Sequence, residues 1–422
     1  MHGLHRRIRS LADRVAASGS QHTSATGSRP LSDPAAAQKE QSASHRPRHY
    51  QMARDRRDPG RVPLTGGKSV AKPGTRRLAG RVRYEQFDPA AEPGTVQLCH
   101  EMYLAAQPVD DPHLPPMTGR VFSAWLALGW TEDHPQAWLA RDGGGQIRGW
   151  YTLALPEREN TGMAYVIPLV GPDGRRQGTG TGLIRHAAGL AQARGRGQLV
   201  TEARQGSAGE AFCRALGGRP GIPEATRELR LDTIPAGKLA GLRRRAEAAA
   251  AGYSLICWEG QVPERYMGQL ARLAQAMNDA PRDDGHDGQR WDVARIREDM
   301  HRVAAQGLRH YTVAARWDRT GELAGMTQLG VDPVRPDYGF QEMTVVAQRH
   351  RGHRLGLLVK VAMLDLLGRH EPLLERIFTG NADSNRHMLA INDELGFTVL
   401  DHWSAFQLAV ADVLARPEPV QS

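Results

Sequence analysis

The sequence of 422 residues contains little cysteine and no long apolar run, and these absences exclude several classes of protein. It has 3 cysteines (Cys99, Cys213 and Cys257) and no Cys-x-x-Cys pair, so we expect no disulfide framework and a reduced, cytoplasmic setting. No run approaches the ~18 apolar residues needed to span a bilayer. The first charged residues are not followed by the apolar core of a secretory signal, so we expect no membrane association.

Lysine is also scarce, with 5 lysines against 50 arginines. The net charge is +9, but residues 1–80 hold 16 of the 55 basic and 5 of the 46 acidic side chains, which leaves 39 basic and 41 acidic side chains elsewhere. The remainder is therefore about neutral, and we do not expect nucleic acid as a partner. Residues 1–80 are rich in Ser, Pro and Arg and poor in aromatics, which predicts a disordered basic segment.

The chain contains the same short loop twice. Val170 begins Val-Gly-Pro-Asp-Gly-Arg-Arg-Gln-Gly-Thr-Gly, and Val346 begins Val-Ala-Gln-Arg-His-Arg-Gly-His-Arg-Leu-Gly, 176 positions later. Gly149 and Gly325, upstream of the two loops, keep the same offset. A period of this length indicates a duplicated domain rather than a solenoid repeat.

Each loop leads from a predicted strand into a predicted helix, where main-chain N–H groups and an arginine favour a phosphate or pyrophosphate. Gly178 and Gly180 are expected to let the backbone approach this ligand closely. Two other phosphate motifs do not fit. The only Gly-Lys-Ser has Val62 where a Walker loop needs glycine, and a dinucleotide fingerprint from Gly178 would have Leu183 at its third glycine.

The pattern that fits is [Arg/Gln]-x-x-Gly-x-[Gly/Ala]. Residues 175–180 match it fully, and residues 351–356 match it except that Arg354 replaces the first glycine. Together with the order hairpin, strand, loop, helix, strand and an asparagine-bearing helix ending in Leu395-Gly-Phe, this pattern resembles the GNAT superfamily of N-acetyltransferases. The resemblance covers about 81–232 and 253–410. The tandem layout is similar to that of two-domain members such as mycothiol synthase.

The resemblance implies an α/β (α+β) fold with two tandem GNAT-like domains, each a mixed, mostly antiparallel central sheet flanked by helices. We predict a first domain at 81–232, a connecting helix within 233–252 and a second domain at 253–415. The predicted disordered segment 1–80 precedes them.

The resemblance also implies acetyl-CoA as co-substrate and no metal. Strands near 341–346 and 374–379 would diverge, with the pantetheine arm between them, and main-chain groups near Thr344 would polarise the thioester carbonyl. The cofactor-binding residues implied in the second copy are Thr344, Val345, Val346, Arg351, Gly352, His353, Arg354, Leu355, Gly356, Asn381 and Asn385. Those implied in the first copy are Val170, Arg175, Arg176, Gln177, Gly178, Thr179 and Gly180.

For catalysis, the expected activity is transfer of an acetyl group to an amine of a small molecule or peptide by direct attack on the thioester. Glu342, on the strand before the second loop, is the candidate general base, and the constant offset aligns it with Val166 in the first copy. Many family members carry a tyrosine that protonates the departing thiolate, and here that position is Cys213 in the first copy and Asn392 in the second. We expect the second copy to be catalytic and the first to be degenerate or structural.

Several alternatives remain open from the sequence. The missing tyrosines favour a non-catalytic protein that binds CoA or acyl-CoA in a regulatory or structural role. Cys213, among apolar neighbours, is predicted to be a packed hydrophobe, and neither the His350–His353 pair nor the loop 283–288 is predicted to hold a metal. Asp332 and Asp337, near Glu342, would suit a cationic acceptor, but the acceptor and the oligomeric state stay undetermined.

Overall fold

The computed structural model describes residues 82–129, 134–279, 283 and 285–417. The predicted disordered segment 1–80 lies outside these residues. Within them, the same succession of strands and helices occurs twice. We call residues 82–232 the first half and residues 253–417 the second half.

The elements of the first half follow the predicted order. They are β1 (Arg83–Phe87), α1 (Pro93–Asp110), α2 (Gly119–Leu128), β2 (Gln136–Arg141), β3 (Ile147–Ala154), β4 (Met163–Leu169), α3 (Thr179–Ala193), β5 (Gln198–Arg204), α4 (Ala208–Ala215), β6 (Arg219–Pro220) and β7 (Glu224–Arg230).

The connecting helix and the second half complete the chain. The connecting helix is α5 (Lys238–Ala249). It is followed by β8 (Tyr253–Glu259), α6 (Glu264–Ala274), α7 (Val293–Gln306), β9 (Arg309–Trp317), β10 (Leu323–Asp332), β11 (Arg335–Val346), α8 (Leu355–His370), β12 (Arg376–Ala382), α9 (Arg386–Leu395), β13 (Thr398–Ala409) and α10 (Val410–Ala415).

All strands join in one continuous sheet. Its order is β1-β2-β3-β4-β5-β13-β7-β12-β11-β10-β9-β8, with β6 pairing beside β13. The pairs are antiparallel except β4 with β5 and β11 with β12. The α/β fold class with a mixed, mostly antiparallel sheet is therefore confirmed, and the sheets of the two halves are joined rather than separate.

The halves exchange their last strands where the sheet crosses from one to the other. β13, from the second half, pairs with β5 of the first half through Trp403–Ala409. β7, from the first half, pairs with β12 of the second half along Glu224–Arg230. β13 and β7 also pair with each other, so each half completes the sheet of the other.

Helices cover both faces of the sheet. In the second half, α5 and α8 pack on one face against residues such as Leu329, and α6 and α7 pack on the other against residues such as Met326. All ten residues of β10 are buried because both of its faces are covered. No helix in the described part of the chain is long and apolar enough to cross a membrane.

Candidate active site

The second half contains a gap between two neighbouring strands. β11 and β12 run parallel and pair only where Tyr338–Phe340 lie beside Arg376–Phe378. Beyond this segment β11 continues beside β10 and β12 continues beside β7, but the two strands no longer pair with each other. The facing edges of residues 341–346 and 379–382 therefore present main-chain polar groups to a ligand that enters the gap.

A β-bulge shapes β11 at the start of this gap. Leu329 of β10 lies opposite Gln341 and Thr327 lies opposite Thr344, so β11 has one residue more than β10 between these pairs. The side-chain amide of Gln341 donates to the carbonyl of Gln328 and to Oγ1 of Thr327, each at 2.7 Å. The main-chain carbonyl of Gln328, which lies opposite the bulge, is therefore hydrogen-bonded by a side chain, and these two hydrogen bonds stabilise the bulge.

The register of β11 aims two main-chain N–H groups into the gap. The N–H of Ala347 donates to the carbonyl of Ala324 on β10 at 2.9 Å. Successive N–H groups of a strand alternate between its two edges. The N–H of Val345 therefore faces β10, whereas those of Thr344 and Val346 face the gap and can donate to a ligand carbonyl.

Glu342 lies in the bulge and forms a buried pair with His310 on β9. Its Oε2 lies 2.9 Å from Nε2 of His310, and only 2% of the Glu342 side chain and 9% of the His310 side chain are exposed. Glu342 as a whole residue is half-buried, so its exposed atoms belong mainly to the main chain. The side chain of Glu342 thus extends from β11 over Gly330 of β10 to a histidine on β9 that the sequence analysis did not single out.

The second loop ends at a helix N-terminus without a side-chain cap. Gly352 (φ 88°) and Arg354 (φ 52°) have left-handed backbone conformations that turn the loop into α8. The N–H of Leu358 donates to the carbonyl of Arg354 at 3.0 Å, so the N–H groups of residues 355–357 have no acceptor within the helix. No side chain caps them, which leaves this helix end suited to a phosphate.

The arginines expected to bind phosphate brace the loops from within. Both terminal nitrogens of Arg175 donate to the carboxylate of Asp110, at 2.8 and 2.7 Å, and its Nε donates to the carbonyl just after β4 at 3.1 Å. Arg351 repeats the arrangement with Asp279 at 2.5 Å and the carbonyl at the end of β11 at 3.4 Å. Phosphate contacts in either loop would therefore fall to main-chain N–H groups rather than to these two guanidinium groups.

The last glycine of each loop serves helix packing. A Cβ on Gly356 would lie 2.9 Å from Cδ1 of Ile391 on α9, and a Cβ on Gly180 would lie 3.4 Å from Cζ of Phe212 on α4. The expectation that Gly178 and Gly180 let the backbone approach a ligand closely stays a prediction. Bulky substitutions at Gly180 or Gly356 would disturb packing before they tested ligand binding.

The two asparagines predicted near the cofactor have different surroundings. Asn385 caps α9, because its side-chain oxygen accepts from the N–H of Met388 at 3.3 Å. Asn381 is half-buried on β12, and its Oδ1 accepts from Nδ2 of Asn392 at 2.6 Å. Nζ of Lys360 on α8 donates to Oδ1 of the same Asn392 at 2.7 Å.

Lys360 was missed by the sequence analysis, although a signal for it exists. It is one of only 5 lysines in a chain that otherwise uses arginine, and it interrupts the apolar run of α8. Its exposure is 2%, and that of Asn392 is 0%. The position where the family carries tyrosine is thus a fully buried amide linked to a buried lysine.

The first half has no β-bulge at the corresponding place. Strand pairing shows that the segment Tyr165–Leu169 of β4 corresponds to Phe340–Val345 of β11. Three residues lie inside the first segment and four inside the second, so the extra residue of the bulge is absent from β4. Glu342 consequently has no single counterpart, and its alignment with Val166 by constant offset is wrong.

The first half also lacks one of the two donors that face the gap. The residue at the place of Thr344 is Pro168, which has no main-chain N–H. β4 pairs with β5 only as far as Tyr165. The missing N–H of Pro168 would point towards β5, where no strand hydrogen bond is formed, so a proline is tolerated there.

A side-chain bridge spans the gap of the first half. Arg204, at the end of β5, donates through Nε to the main-chain carbonyl of Asp110 at 3.2 Å. The carboxylate of Asp110 is held by Arg175 of the loop that follows β4, so Asp110 links the two diverging strands. The corresponding end of β12 carries Ala382, whose side chain cannot reach across.

Cys213, at the tyrosine position of the first half, is a packed side chain as predicted. It lies in a small apolar cluster with Ala203 and Phe406, and burial raises its pKa from 9.0 to about 12. We expect no alkylation of Cys213 by iodoacetamide at pH 8 in the folded protein and full alkylation in denaturant, as measured by peptide mass spectrometry. Between pH 9 and about 12 the thiol of the unfolded chain loses its proton, whereas the folded protein still holds it. The free energy of unfolding should therefore fall as the pH rises through this range. Rapid labelling of folded protein would contradict this assignment.

Among the described residues, no three side chains of His, Cys, Asp or Glu are grouped so that they could hold a metal ion. Both ring nitrogens of His350 are engaged, Nε2 with Glu322 and Nδ1 with the hydroxyl of Tyr253, each at 2.9 Å. His353 is exposed in the loop. In the loop 283–288, Asp283 accepts from the N–H of Ile222, and residue 284 lies outside the described ranges.

The acidic side chains expected to attract a cationic acceptor are used within the protein. Asp332 accepts from Oγ1 of Thr118 at 2.7 Å and is buried. Asp337 accepts from Arg335 and Arg376, and the hydrogen bond from Arg335 lowers its pKa most. Neither carboxylate is therefore left to define an acceptor site.

Comparison with known proteins gives structural neighbours but no sequence family. No protein-family model matches the chain, and no curated protein matches it. Among solved structures, a tandem GNAT protein from the clavulanic acid biosynthesis pathway is 27% identical, with a TM-score of 0.66, and the match covers 78% of this chain and 99% of that one. A GCN5-related N-acetyltransferase from Sphaerobacter thermophilus is 16% identical, with a TM-score of 0.55 over 79% of this chain and 97% of that one.

The chain therefore has the tandem GNAT fold, and its resemblance to the GNAT N-acetyltransferases is confirmed.

Proposed function

We propose that the protein is an acetyl-CoA-dependent N-acyltransferase and that its second half carries out the reaction. Bound acetyl-CoA would supply an activated acyl group as a thioester. The observation that carries the proposal is the asymmetry of β11 and β4, because only β11 has the bulge, the carboxylate of Glu342 and an N–H group at Thr344 that faces the gap. The solved relative at 27% identity is described as being without AcCoA, which agrees with the proposed ligand.

Different main-chain groups of the second half would bind different parts of acetyl-CoA along the gap. The uncapped N–H groups of residues 355–357 would bind the pyrophosphate, and the N–H groups of Thr344 and Val346 would bind along the arm. An N–H group placed at the thioester carbonyl stabilises the negative charge that develops on its oxygen during attack. These main-chain N–H groups would bind the phosphates in place of the guanidinium groups of Arg175 and Arg351, because both guanidinium groups are hydrogen-bonded to carboxylates of the protein.

Glu342 is the general base of the proposed reaction. Because only 2% of its side chain is exposed, an attacking amine would pass its proton to the carboxylate through an intervening water molecule. As the amine nitrogen bonds to the acetyl carbon, the thioester C–S bond would break, and CoA would leave as a thiolate that takes a proton from water. His310 holds Oε2 of Glu342 in a fixed direction, and Oε1 lies over Gly330 of β10. The amine itself, on a small molecule or a peptide, is not specified by the side chains that surround the gap.

The test uses a substitution that the chain itself provides. We expect Thr344→Pro to lower the rate of acetyl transfer by about 10²-fold, the cost of removing one such donor. The fold should tolerate the change because Pro168 occupies the same place in the first half. The measurement is CoA thiol release from acetyl-CoA with a panel of primary amines, with acetyl-CoA binding followed by calorimetry.

The matched control is Pro168→Thr in the first half, which should leave rate and binding unchanged. If Pro168→Thr alters the rate and Thr344→Pro does not, the first half is the catalytic one. Binding of acetyl-CoA without turnover of any amine would favour the alternative of a non-catalytic CoA-binding protein. The absence of acetyl-CoA binding by the wild-type chain would contradict the proposal as a whole.

A further inference from the structure

We propose that Lys360 and Asn392 are positioning residues that turn the side-chain amide of Asn381, so that its N–H donors face the gap and bind a carbonyl group of acetyl-CoA. This inference rests on the proposed function, because it concerns the ligand of the same gap. It assigns a role to a buried lysine that neither the sequence pattern nor the fold resemblance singled out.

The three side chains form one continuous hydrogen-bonded chain. Nζ of Lys360 donates to Oδ1 of Asn392 at 2.7 Å, and Nδ2 of Asn392 donates to Oδ1 of Asn381 at 2.6 Å. Lys360 and Asn392 are almost completely buried, whereas Asn381 is half-buried. This series of side-chain hydrogen bonds therefore leads from the buried face of α8, through α9, to the partly exposed side chain on β12.

The lysine gives this chain a direction. A protonated lysine side chain has three donors and no acceptor, so it must face the oxygen end of the Asn392 amide. The nitrogen end of Asn392 then points to Asn381 and requires an oxygen there. The amide of Asn381 consequently holds its oxygen inward and its two N–H donors outward.

The outward donors lie beside the gap. β12 pairs with β11 only up to Phe378, and from Thr379 to Ala382 it pairs with β7 alone. Asn381 is thus on the unpaired stretch that borders the gap, across from the N–H groups of Thr344 and Val346. Donors from both sides of the gap would suit a ligand whose arm carries several carbonyl oxygens.

The first half shows that packing alone does not require this polar chain. Helix and strand register place Ile184, Cys213 and Ala203 at the positions of Lys360, Asn392 and Asn381. These three side chains are apolar and belong to the packed core clusters of the first half. Burying a lysine carries a large desolvation cost, so its presence in the second half alone indicates a role beyond packing.

The sharpest test is Asn392→Asp, which keeps the shape of the side chain but replaces its donor by an acceptor. The new carboxylate can still accept from Lys360. Facing it, Asn381 must turn its own N–H donors inward and present its oxygen to the gap. We expect the dissociation constant for acetyl-CoA, measured by calorimetry, to rise about 10-fold, while the midpoint of thermal unfolding stays the same or rises.

Two further variants separate the orientation of the amide from stability. Asn381→Ala should weaken acetyl-CoA binding to a similar extent, and combining it with Asn392→Asp should cause no further loss, because both changes remove the same donor. The triple variant Lys360→Ile, Asn392→Cys and Asn381→Ala copies the first half and should remain folded with weakened binding.

The outcomes are distinct. If wild-type protein binds acetyl-CoA and Asn392→Asp binds it equally well, the orienting role is wrong while the proposed function stands. The same holds if Asn381→Ala binds as tightly as wild type. If the wild-type chain binds no acetyl-CoA, the proposed function fails, and this inference fails with it.

Discussion

Glu342→Gln is expected to lower the rate of acetyl transfer by about 10²- to 10⁴-fold, the usual contribution of a positioned general base. The amide is close in size to the carboxylate and can still accept a hydrogen bond from His310, but it cannot take up a proton from the amine. The dissociation constant for acetyl-CoA should stay within about twofold, because the proposed phosphate contacts lie at the N-terminus of α8. Steady-state release of CoA thiol and calorimetry measure the two quantities.

The control for loss of a strand carboxylate is Glu259→Gln on β8, where the side chain is exposed and distant in the sheet order from the gap. It should have the rate of wild type. Thermal unfolding of both variants distinguishes a chemical effect from a loss of fold. If Glu342→Gln keeps a third or more of the wild-type rate between pH 6 and 9, another group removes the proton.

Removal of β13, by ending the chain at Phe397, is expected to abolish the cooperative folding of both halves. β13 pairs with β5 over seven residues and with β7 over five, so its loss opens the sheet at its centre. Side chains such as Phe406 (0% exposed) would also leave the core. The cost should exceed the roughly 5–15 kcal/mol by which a typical domain is stable. Circular dichroism and thermal unfolding measure the result.

A chain ending at Pro417 provides the control and should unfold with the wild-type midpoint. Addition of a synthetic peptide of residues 398–417 to the shortened chain should restore part of the folded signal, because this peptide contains all the residues of β13 that pair with β5 and β7. If the shortened chain unfolds in two separate transitions near the wild-type midpoint, each half is stable without the exchanged strand.

The sequence predicted the elements of the two halves well, because their signals are local. Loop residues at helix starts, such as Gly178, and alternation in strands depend on neighbours in the chain. The exchange of β7 and β13 could not be predicted in this way. Both strands have partners of the same kind in either half, so the hydrophobic pattern is equally satisfied by pairing within a half or between halves.

The bulge escaped prediction for a different reason. The offset between the halves is 176 at the start of the hairpin, falls to 175 at Tyr165 and Phe340, and returns to 176 at Leu169 and Val345. Counted between paired residues, the connection from β10 to β11 is one residue shorter than the connection from β3 to β4, and the bulge adds one residue to β11. The two differences cancel, so the offset of 176 before and after them gives no sign of either. The roles of Gly356 and Asn385 were likewise hidden, because helix packing and capping are decided by three-dimensional neighbours.

The exchanged strands have a consequence for the synthesis of this protein on the ribosome. The first half cannot complete its sheet until the strand ending at Ala409 has been made, although its own last residue is near position 232. At about 5–20 residues per second, some tens of seconds at most separate these events, and during that time β5 and β7 have unpaired edges in the nascent chain. In many proteins the N-terminal domain folds before the next domain has been synthesised. This chain cannot follow that order, and its two halves must reach the native state together.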